Sequence, residues 1–144
     1  MVDILIKYIK IYKKHLTLYK KMYIIVMFYE LGGAKMKKTN IIKKNFDISK
    51  VLDSKKGYRN RYFNVYFNEN NVGKYRFAVC VSKKIGNAVI RNKVKRQVKD
   101  VIDKSNLVFN SNTDYVIIIK KEINEIKYSE IKKNLMDLLK KVTD

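Results

Sequence analysis

The sequence has few of the residues on which protein catalysis and covalent cross-linking depend. Its 144 residues include one histidine, one cysteine and five glycines, and neither tryptophan nor proline. The single cysteine, Cys80, excludes an internal disulfide and a zinc site built on thiolates, and it is typical of a reducing compartment, here the cytoplasm. His15 is the one imidazole, and phosphate-binding loops, HExxH and CxxC are absent. The sequence therefore predicts no catalytic residue and no metal site on this chain.

Negative charge is also scarce. The chain has 33 Lys and Arg against 13 Asp and Glu, which gives a formal net charge of +20. Such an excess attracts polyanions, because each phosphate that a Lys or Arg neutralises releases condensed counterions. Nucleic acid is the expected partner, with an anionic membrane surface as the alternative. Hydrophobic residues make up 47% of the chain, which is enough for one folded domain of this length.

No apolar run is long enough to cross a membrane. The run 22–29 has eight residues, whereas a spanning helix needs about 20. We expect residues 1–35 to be an N-terminal extension of a domain at 36–144. Three interpretations of the extension stay open: a genuine amphipathic segment, a signal peptide, or upstream sequence ahead of a start at Met36. The last is suggested by 32–34, Gly-Gly-Ala, whose codons can hold a ribosome-binding site.

Hydrophobic periodicity beyond residue 36 predicts a compact α+β domain with the order helix, strand, strand, helix, strand, helix. The elements are expected at 45–52, 61–68, 75–82, 87–104 and 115–119, followed by a final amphipathic helix that carries Ile131, Leu135, Leu138, Leu139 and Val142. The run 69–73 is rich in turn formers, so the first two strands are expected to pair as a β-hairpin. The segment 104–114 is expected to be a loop.

Alternation of side chains predicts the faces of the strands. Along the first strand the expected core face consists of Phe63, Val65 and Phe67, and the opposite, polar-aromatic face of Tyr62, Asn64, Tyr66 and Asn68. Along the second strand Phe77, Val79 and Val81 share a face, with Ala78 and Cys80 opposite. Cys80 is therefore expected to be a small buried hydrophobe.

Positive charge is concentrated where the second strand leads into the next helix. That helix has an apolar stripe of Ile90, Val94, Val98, Val101 and Ile102 and a basic outer face. Loop lysines, an N-cap asparagine, free N–H groups at the helix start and forked arginines can all bind phosphate. The residues expected to bind RNA are Lys83, Lys84, Asn87, Arg91, Asn92, Lys93, Lys95, Arg96 and Lys99. A solvated basic face is the alternative interpretation.

The segment 82–96 reads Ser-Lys-Lys-Ile-Gly-Asn-Ala-Val-Ile-Arg-Asn-Lys-Val-Lys-Arg, and it resembles the signature of the bacterial ribonuclease P protein subunits. Lys-Val-Leu at 50–52, Arg-Tyr-Phe at 61–63 and the apolar strand at 114–119 agree with the same family. The resemblance covers about residues 37–142, and the first 35 residues have no counterpart in it.

The resemblance implies an α/β sandwich with a left-handed βαβ crossover, which is rare among protein folds. It implies a protein that binds the catalytic RNA of ribonuclease P through the basic helix and promotes removal of the 5′ leader from precursor tRNA. The endoribonuclease would be the ribonucleoprotein, with its catalytic centre in the RNA and Mg²⁺ held mainly by RNA phosphates. The protein itself is expected to bind no cofactor, no small molecule and no membrane.

The resemblance also implies a cleft between the first helix and the sheet that holds the single-stranded leader. The residues expected to contact the leader are Lys50, Arg61, Phe63 and Tyr66. Aromatic platforms beside positive charges are how proteins bind single strands. Because Phe63 lies on the expected core face, a core role and a leader contact both stay open for it.

The sequence departs from the family pattern in two places. Lys93 stands where Arg is usual, and Lys lacks the bidentate fork. Ile48 and Leu52 stand where aromatic residues are common, which weakens stacking from the first helix.

Three rival functions remain: a generic, ribosome-associated RNA-binding protein, a self-sufficient nuclease, and a membrane-surface protein anchored by residues 1–30.

Overall fold

A computed structural model describes residues 38–144, so the interpretations of residues 1–35 lie outside the described residues. In the described part the helices and strands follow in the order α1 Asn45–Asp53, β1 Gly57–Arg59, β2 Phe63–Glu69, β3 Arg76–Val81, α2 Ala88–Asp103, β4 Thr113–Ile119 and α3 Tyr128–Thr143. Short 3-10 turns lie at Lys38–Asn40, Lys83–Ile85 and Lys121–Glu125. The predicted α+β class and all six predicted elements are confirmed, and β1 is an addition to them.

The four strands form one sheet in the order β1-β2-β4-β3. β2 is antiparallel to both β1 and β4, whereas β3 runs parallel to β4. The predicted β-hairpin is therefore wrong, because β4 lies between the two strands that were expected to pair. The physical reason is burial: Val116 and Ile117 of β4 are both 0% exposed, and a strand that is apolar on both faces requires a central place in the sheet.

The chain passes from β3 through α2 to the parallel strand β4, which is the βαβ unit that the resemblance implies. The strand order establishes this crossover but not its hand, which stays a prediction. α2 and α3 cover one face of the sheet, where Phe63, Val65 and Phe77 join the main core. α1 covers part of the opposite face, so the domain has three layers.

The second, smaller core lies under α1. It is built from the buried residues Ile42, Val51, Ala78 and Val116, with Ile48, Leu52, Tyr66, Cys80 and Ile118 partly buried against them. The predicted alternation is confirmed for the residues within β2 and β3 by this division into two clusters. The predicted face of Tyr62 is wrong: Tyr62 precedes β2, so strand alternation does not apply to it, and it packs against the main core. One expected core residue of α2 is exposed: Ile90 in the first turn is 40% exposed.

Candidate nucleic-acid interface

The loop between β3 and α2 is held in one shape by hydrogen bonds within the loop and from Asn124. Ser82 Oγ accepts a hydrogen bond from the Lys84 backbone N–H at 3.0 Å. Ile85 is buried, and its carbonyl oxygen accepts a hydrogen bond from Asn124 Nδ2 at 2.7 Å. Lys83 and Lys84 are therefore exposed on a backbone that is fixed at both ends.

Gly86 and Asn87 lead from the loop directly into α2, which begins at Ala88. Gly86 has φ 154°, and a Cβ at this position would lie 2.9 Å from Ile90 Cδ1. Asn87 Oδ1 accepts a hydrogen bond from the Ile90 backbone N–H at 3.1 Å, which confirms Asn87 as the N-cap. The first turn of α2 carries no acidic residue, so its free N–H groups and the positive end of the helix dipole are available to an anion.

The loop and the outer face of α2 form one basic surface, to which we refer as the basic surface. From residue 83 to residue 99 the chain has seven Lys and Arg and no Asp or Glu. Lys83, Lys84, Asn87, Asn92, Lys93 and Arg96 are exposed, and Arg91, Lys95 and Lys99 are partly buried. Within residues 38–144 the four ion pairs lie elsewhere. The nine residues predicted to bind RNA therefore share a single loop and helix.

A groove of about 420 Å³ runs along β3, the edge strand of the sheet, between α1 and α2. The residues that line it are Ile41, Ile42, Ile48, Phe77, Ala78, Val79, Cys80, Val81, Lys95 and Lys99. Lys95 and Lys99 are one turn apart on α2, so both belong to the same side of the helix. The groove thus combines an apolar floor with two cations from the basic surface.

Cys80 lies in the floor of the groove and is partly buried. Burial raises the pKa of its thiol, and the nearby charge of Lys95 opposes that shift only in part. The thiol is therefore neutral at physiological pH, as the interpretation of Cys80 as a small hydrophobe requires.

The structure does not bring the four predicted leader contacts together. Tyr66 is half-buried against the core under α1, and Lys50 is exposed on α1 itself. The side chain of Arg61, two residues before β2, is 66% exposed, and its Nη2 lies 2.7 Å from Oε2 of Glu125. Phe63 is 0% exposed on the face covered by α2 and α3, so a leader contact at Phe63 is wrong and its core role holds.

One row of side chains across the α1 face was not singled out from the sequence. The cross-strand partners Arg59 and Asn64, Asn64 and Ile118, and Ile118 and Cys80 place these four residues side by side. Arg59 is exposed and the other three are partly buried. The Oδ1 atom of Asn64 is buried and has no hydrogen-bond partner within residues 38–144. Strand alternation placed Asn64 on this face, but only the sheet order places the row beside the groove.

A three-layered α+β fold, a basic loop and helix, and an adjoining groove with an apolar floor define a small RNA-binding domain. Comparison with known proteins gives the same class. The Ribonuclease P family model matches residues 36–143, and the chain belongs to the ribonuclease P protein family. The predicted role as the protein subunit of this ribonuclease, associated with RNA, is thereby confirmed.

The chain is similar to curated members of the family over most of their length. It is 38% identical over 109 residues to the ribonuclease P protein component of Mycoplasma capricolum, covering 74% of this chain and 99% of the relative. It is 40% identical over 107 residues to the component from Bacillus cereus strain G9842, covering 74% and 93% of the two chains.

Solved structures agree with the fold. The ribonuclease P protein of Staphylococcus aureus matches with a TM-score of 0.64 and 31% identity, covering 72% of this chain and 94% of that one. The protein from Thermotoga maritima matches with a TM-score of 0.62 and 27% identity, covering 69% and 94%. None of the described helices is long and apolar enough to span a membrane.

Proposed function

We propose that this chain binds the catalytic RNA of ribonuclease P through the basic surface and holds the 5′ leader of precursor tRNA in the groove beside α1. The observation that carries the proposal is that Lys95 and Lys99 belong both to the basic surface and to the lining of the groove. One continuous interface can therefore contact a folded RNA and a single strand that emerges from it.

The basic surface and the groove differ in chemistry, as they must if one binds a folded RNA and the other binds a single strand. A helical RNA is bound mainly through its backbone, for which the exposed lysines and arginines and the start of α2 supply charge and N–H donors. A single strand needs apolar or aromatic surface for its bases and cations for its phosphates. The groove supplies Ile48, Cys80 and the two lysines, and Tyr66 lies in the same small core. Tyr66 is the aromatic side chain of this small core, in which α1 contributes the aliphatic residues Ile48 and Leu52, so we assign stacking to Tyr66. Phe46 of α1 is 73% exposed but does not line the groove.

The described residues do not fit a resident metal ion. Mg²⁺ prefers a set of oxygen ligands in octahedral geometry, and within residues 38–144 no three His, Cys, Asp or Glu side chains lie together. We therefore derive no step from an ion held by this chain. Our proposal places Mg²⁺ and the catalytic centre in the RNA, while the protein binds, orients and neutralises charge.

The first test is cleavage of precursor tRNA by a bacterial ribonuclease P RNA at low Mg²⁺, with and without the protein. Leader removal should be stimulated, because the protein lowers the repulsion between two polyanions. The full chain and residues 36–144 are compared, and we expect both to stimulate. A folded protein that binds RNA but gives no stimulation would point to a generic RNA-binding protein instead.

The leader site is tested by varying the leader. Precursor tRNAs with leaders of zero, two, five and eight nucleotides are bound to the assembled ribonucleoprotein, and we expect affinity to rise until the groove is filled. The RNA alone is the control, and it should show a weaker dependence on leader length. An identical dependence with and without the protein would contradict a leader site on this chain.

A further inference from the structure

The position of α1 depends on contacts outside the helix. The helix has nine residues, and a helix this short is marginally stable on its own in water. At its C-terminal end Val51 is 2% exposed, and Ser54 Oγ donates to the carbonyl oxygens of Val51 and Phe67 at 2.6 and 3.2 Å. At its N-terminal end the N-cap residue Lys44 makes no side-chain cap hydrogen bond within the described residues.

The N-terminal end of α1 is tied to the sheet through one carboxylate. Asp47 Oδ2 lies 3.5 Å from Nη1 of Arg76 on β3. The rest of that guanidinium is fixed by Asp114 on β4, with Nε to Oδ1 at 2.8 Å and Nη2 to Oδ2 at 2.6 Å. Asn70 Nδ2 adds a hydrogen bond of 2.7 Å to Asp114 Oδ1. Arg76 therefore presents its remaining nitrogen to α1 from a rigid support.

This cluster is partly shielded from water, and its arginine stays charged. The side chain of Arg76 is 16% exposed, that of Asp47 26% and that of Asp114 6%. The hydrogen bond to Asp114 is the main cause that raises the pKa of Arg76, so the guanidinium stays charged at every pH at which the protein folds. Partly buried pairs of this kind are screened less by salt than surface pairs.

Asp47 directly precedes Ile48, which lines the groove opposite Lys95 and Lys99. We propose that Asp47 and Arg76 are positioning residues that hold the N-terminal half of α1 over the groove, so that leader affinity depends on their contact. The inference rests on the proposed leader site. In it, the contact between Asp47 and Arg76 fixes α1, which forms one wall of the groove through Ile48. Neither side chain is among the residues that line the groove, so the effect acts through α1.

The test compares two substitutions on the same helix in the full chain, assembled with a bacterial ribonuclease P RNA. Asp47→Asn removes the negative charge that faces Arg76 and so weakens their contact, and Asp53→Asn removes the same charge from the exposed last residue of α1. Both raise the net charge by one, so both should strengthen nonspecific RNA attraction equally. We expect Asp47→Asn, relative to Asp53→Asn, to weaken binding of precursor tRNA with a five-nucleotide leader by about threefold to tenfold, a coupling of ordinary size for such a pair.

Binding of leaderless tRNA and assembly with the catalytic RNA should be the same for the two variants. A role in global stability alone would not produce a leader-dependent difference, and Asp47→Glu, which can still reach Arg76, should restore leader affinity. Equal leader affinity for Asp47→Asn and Asp53→Asn would overturn the inference.

Hydrogen exchange of the free protein separates this inference from the proposed function. In Asp47→Asn the amides of the first half of α1 should exchange faster, while those of α2 and β4 keep their protection. If the unsubstituted protein shows no leader dependence, the proposed leader site fails, and local loosening of α1 still supports the contact itself. Unchanged exchange in α1 would overturn the inference whatever the leader data show.

Discussion

Two tyrosines on neighbouring strands lie on opposite faces of the sheet and offer a matched test. Tyr66 is paired with Val116 on the α1 face, and Tyr58 is paired with Val65 on the other face. Tyr66→Ala should weaken binding of precursor tRNA that carries a leader by about fivefold, at the low end of the effect of base stacking. Leaderless tRNA should bind as before, and Tyr58→Ala should leave both affinities unchanged. Equal loss on both RNAs would exclude Tyr66 from the leader site.

Besides their packing in the main core, α2 and α3 are linked by a hydrogen bond from one phenol. Tyr128 Oη donates to Asp100 Oδ2 at 2.5 Å, and Lys104 Nζ donates to the same oxygen at 3.0 Å. Burial, and then the hydrogen bond to Asp100, raise the pKa of Tyr128 to about 12. The bond to Tyr128 is the main cause that lowers the pKa of Asp100.

The raised pKa of Tyr128 determines the direction in which the free energy of unfolding changes with pH. The pKa of an unfolded tyrosine is about 10, so the contribution of Tyr128 is complete below about pH 10 and is lost as the pH rises towards 12. Tyr128→Phe should cost about 1 kcal/mol at pH 8 and should flatten the loss of stability between pH 10 and pH 12. Urea unfolding across this range measures both effects. Parallel curves for the two proteins would show that the phenol does not titrate with folding.

At the scale of elements, the loop that starts α2 depends on one glycine. A side chain at residue 86 would need φ 154° and would meet Ile90 at 2.9 Å. Gly86→Ala should therefore destabilise the domain by about 1–3 kcal/mol and should weaken RNA binding, because Lys83 and Lys84 move with the loop. Thermal unfolding and RNA titration measure the two losses.

Gly73→Ala is the control for that substitution. Gly73 also has a positive φ, 77°, but no atom of residues 38–144 lies within 4 Å of a Cβ placed there. The Gly73→Ala variant should lose about 1 kcal/mol of stability from backbone strain alone, and its RNA affinity should be unchanged. An RNA affinity of Gly86→Ala equal to that of Gly73→Ala would show that the shape of the loop does not matter for binding.

The two kinds of candidate site residue differ in how far the sequence could predict them. The nine residues of the basic surface follow one another along a loop and a helix, so charge and helical periodicity were sufficient to group them. The groove is assembled from 41–48, 77–81 and two lysines of α2, which are far apart in the chain. The leader contacts were therefore inferred from a resemblance, which included Phe63 even though strand alternation had placed this residue on the core face, where the structure has it.

At the scale of the whole molecule, the excess of positive charge predicts a steep salt dependence of RNA binding. The slope of log affinity against log salt counts the phosphates that are neutralised. Arg96→Ala should lower that slope by about one and weaken binding to different RNAs alike. Lys140→Ala, which removes one exposed charge from α3, is the matched control and should leave the slope unchanged. Equal slopes for the two variants would exclude a phosphate contact at Arg96.

The sequence by itself determined six of the seven helices and strands that the structure describes, together with the faces within them, since periodicity and capping are local properties of the chain. It also determined the basic surface and, through the 82–96 motif, the family. Only the tertiary structure decided that β4 separates β2 from β3, because strand order depends on which strand must be buried on both faces. The groove and the contact between Asp47 and Arg76 follow from that order, since each joins segments that no local pattern relates.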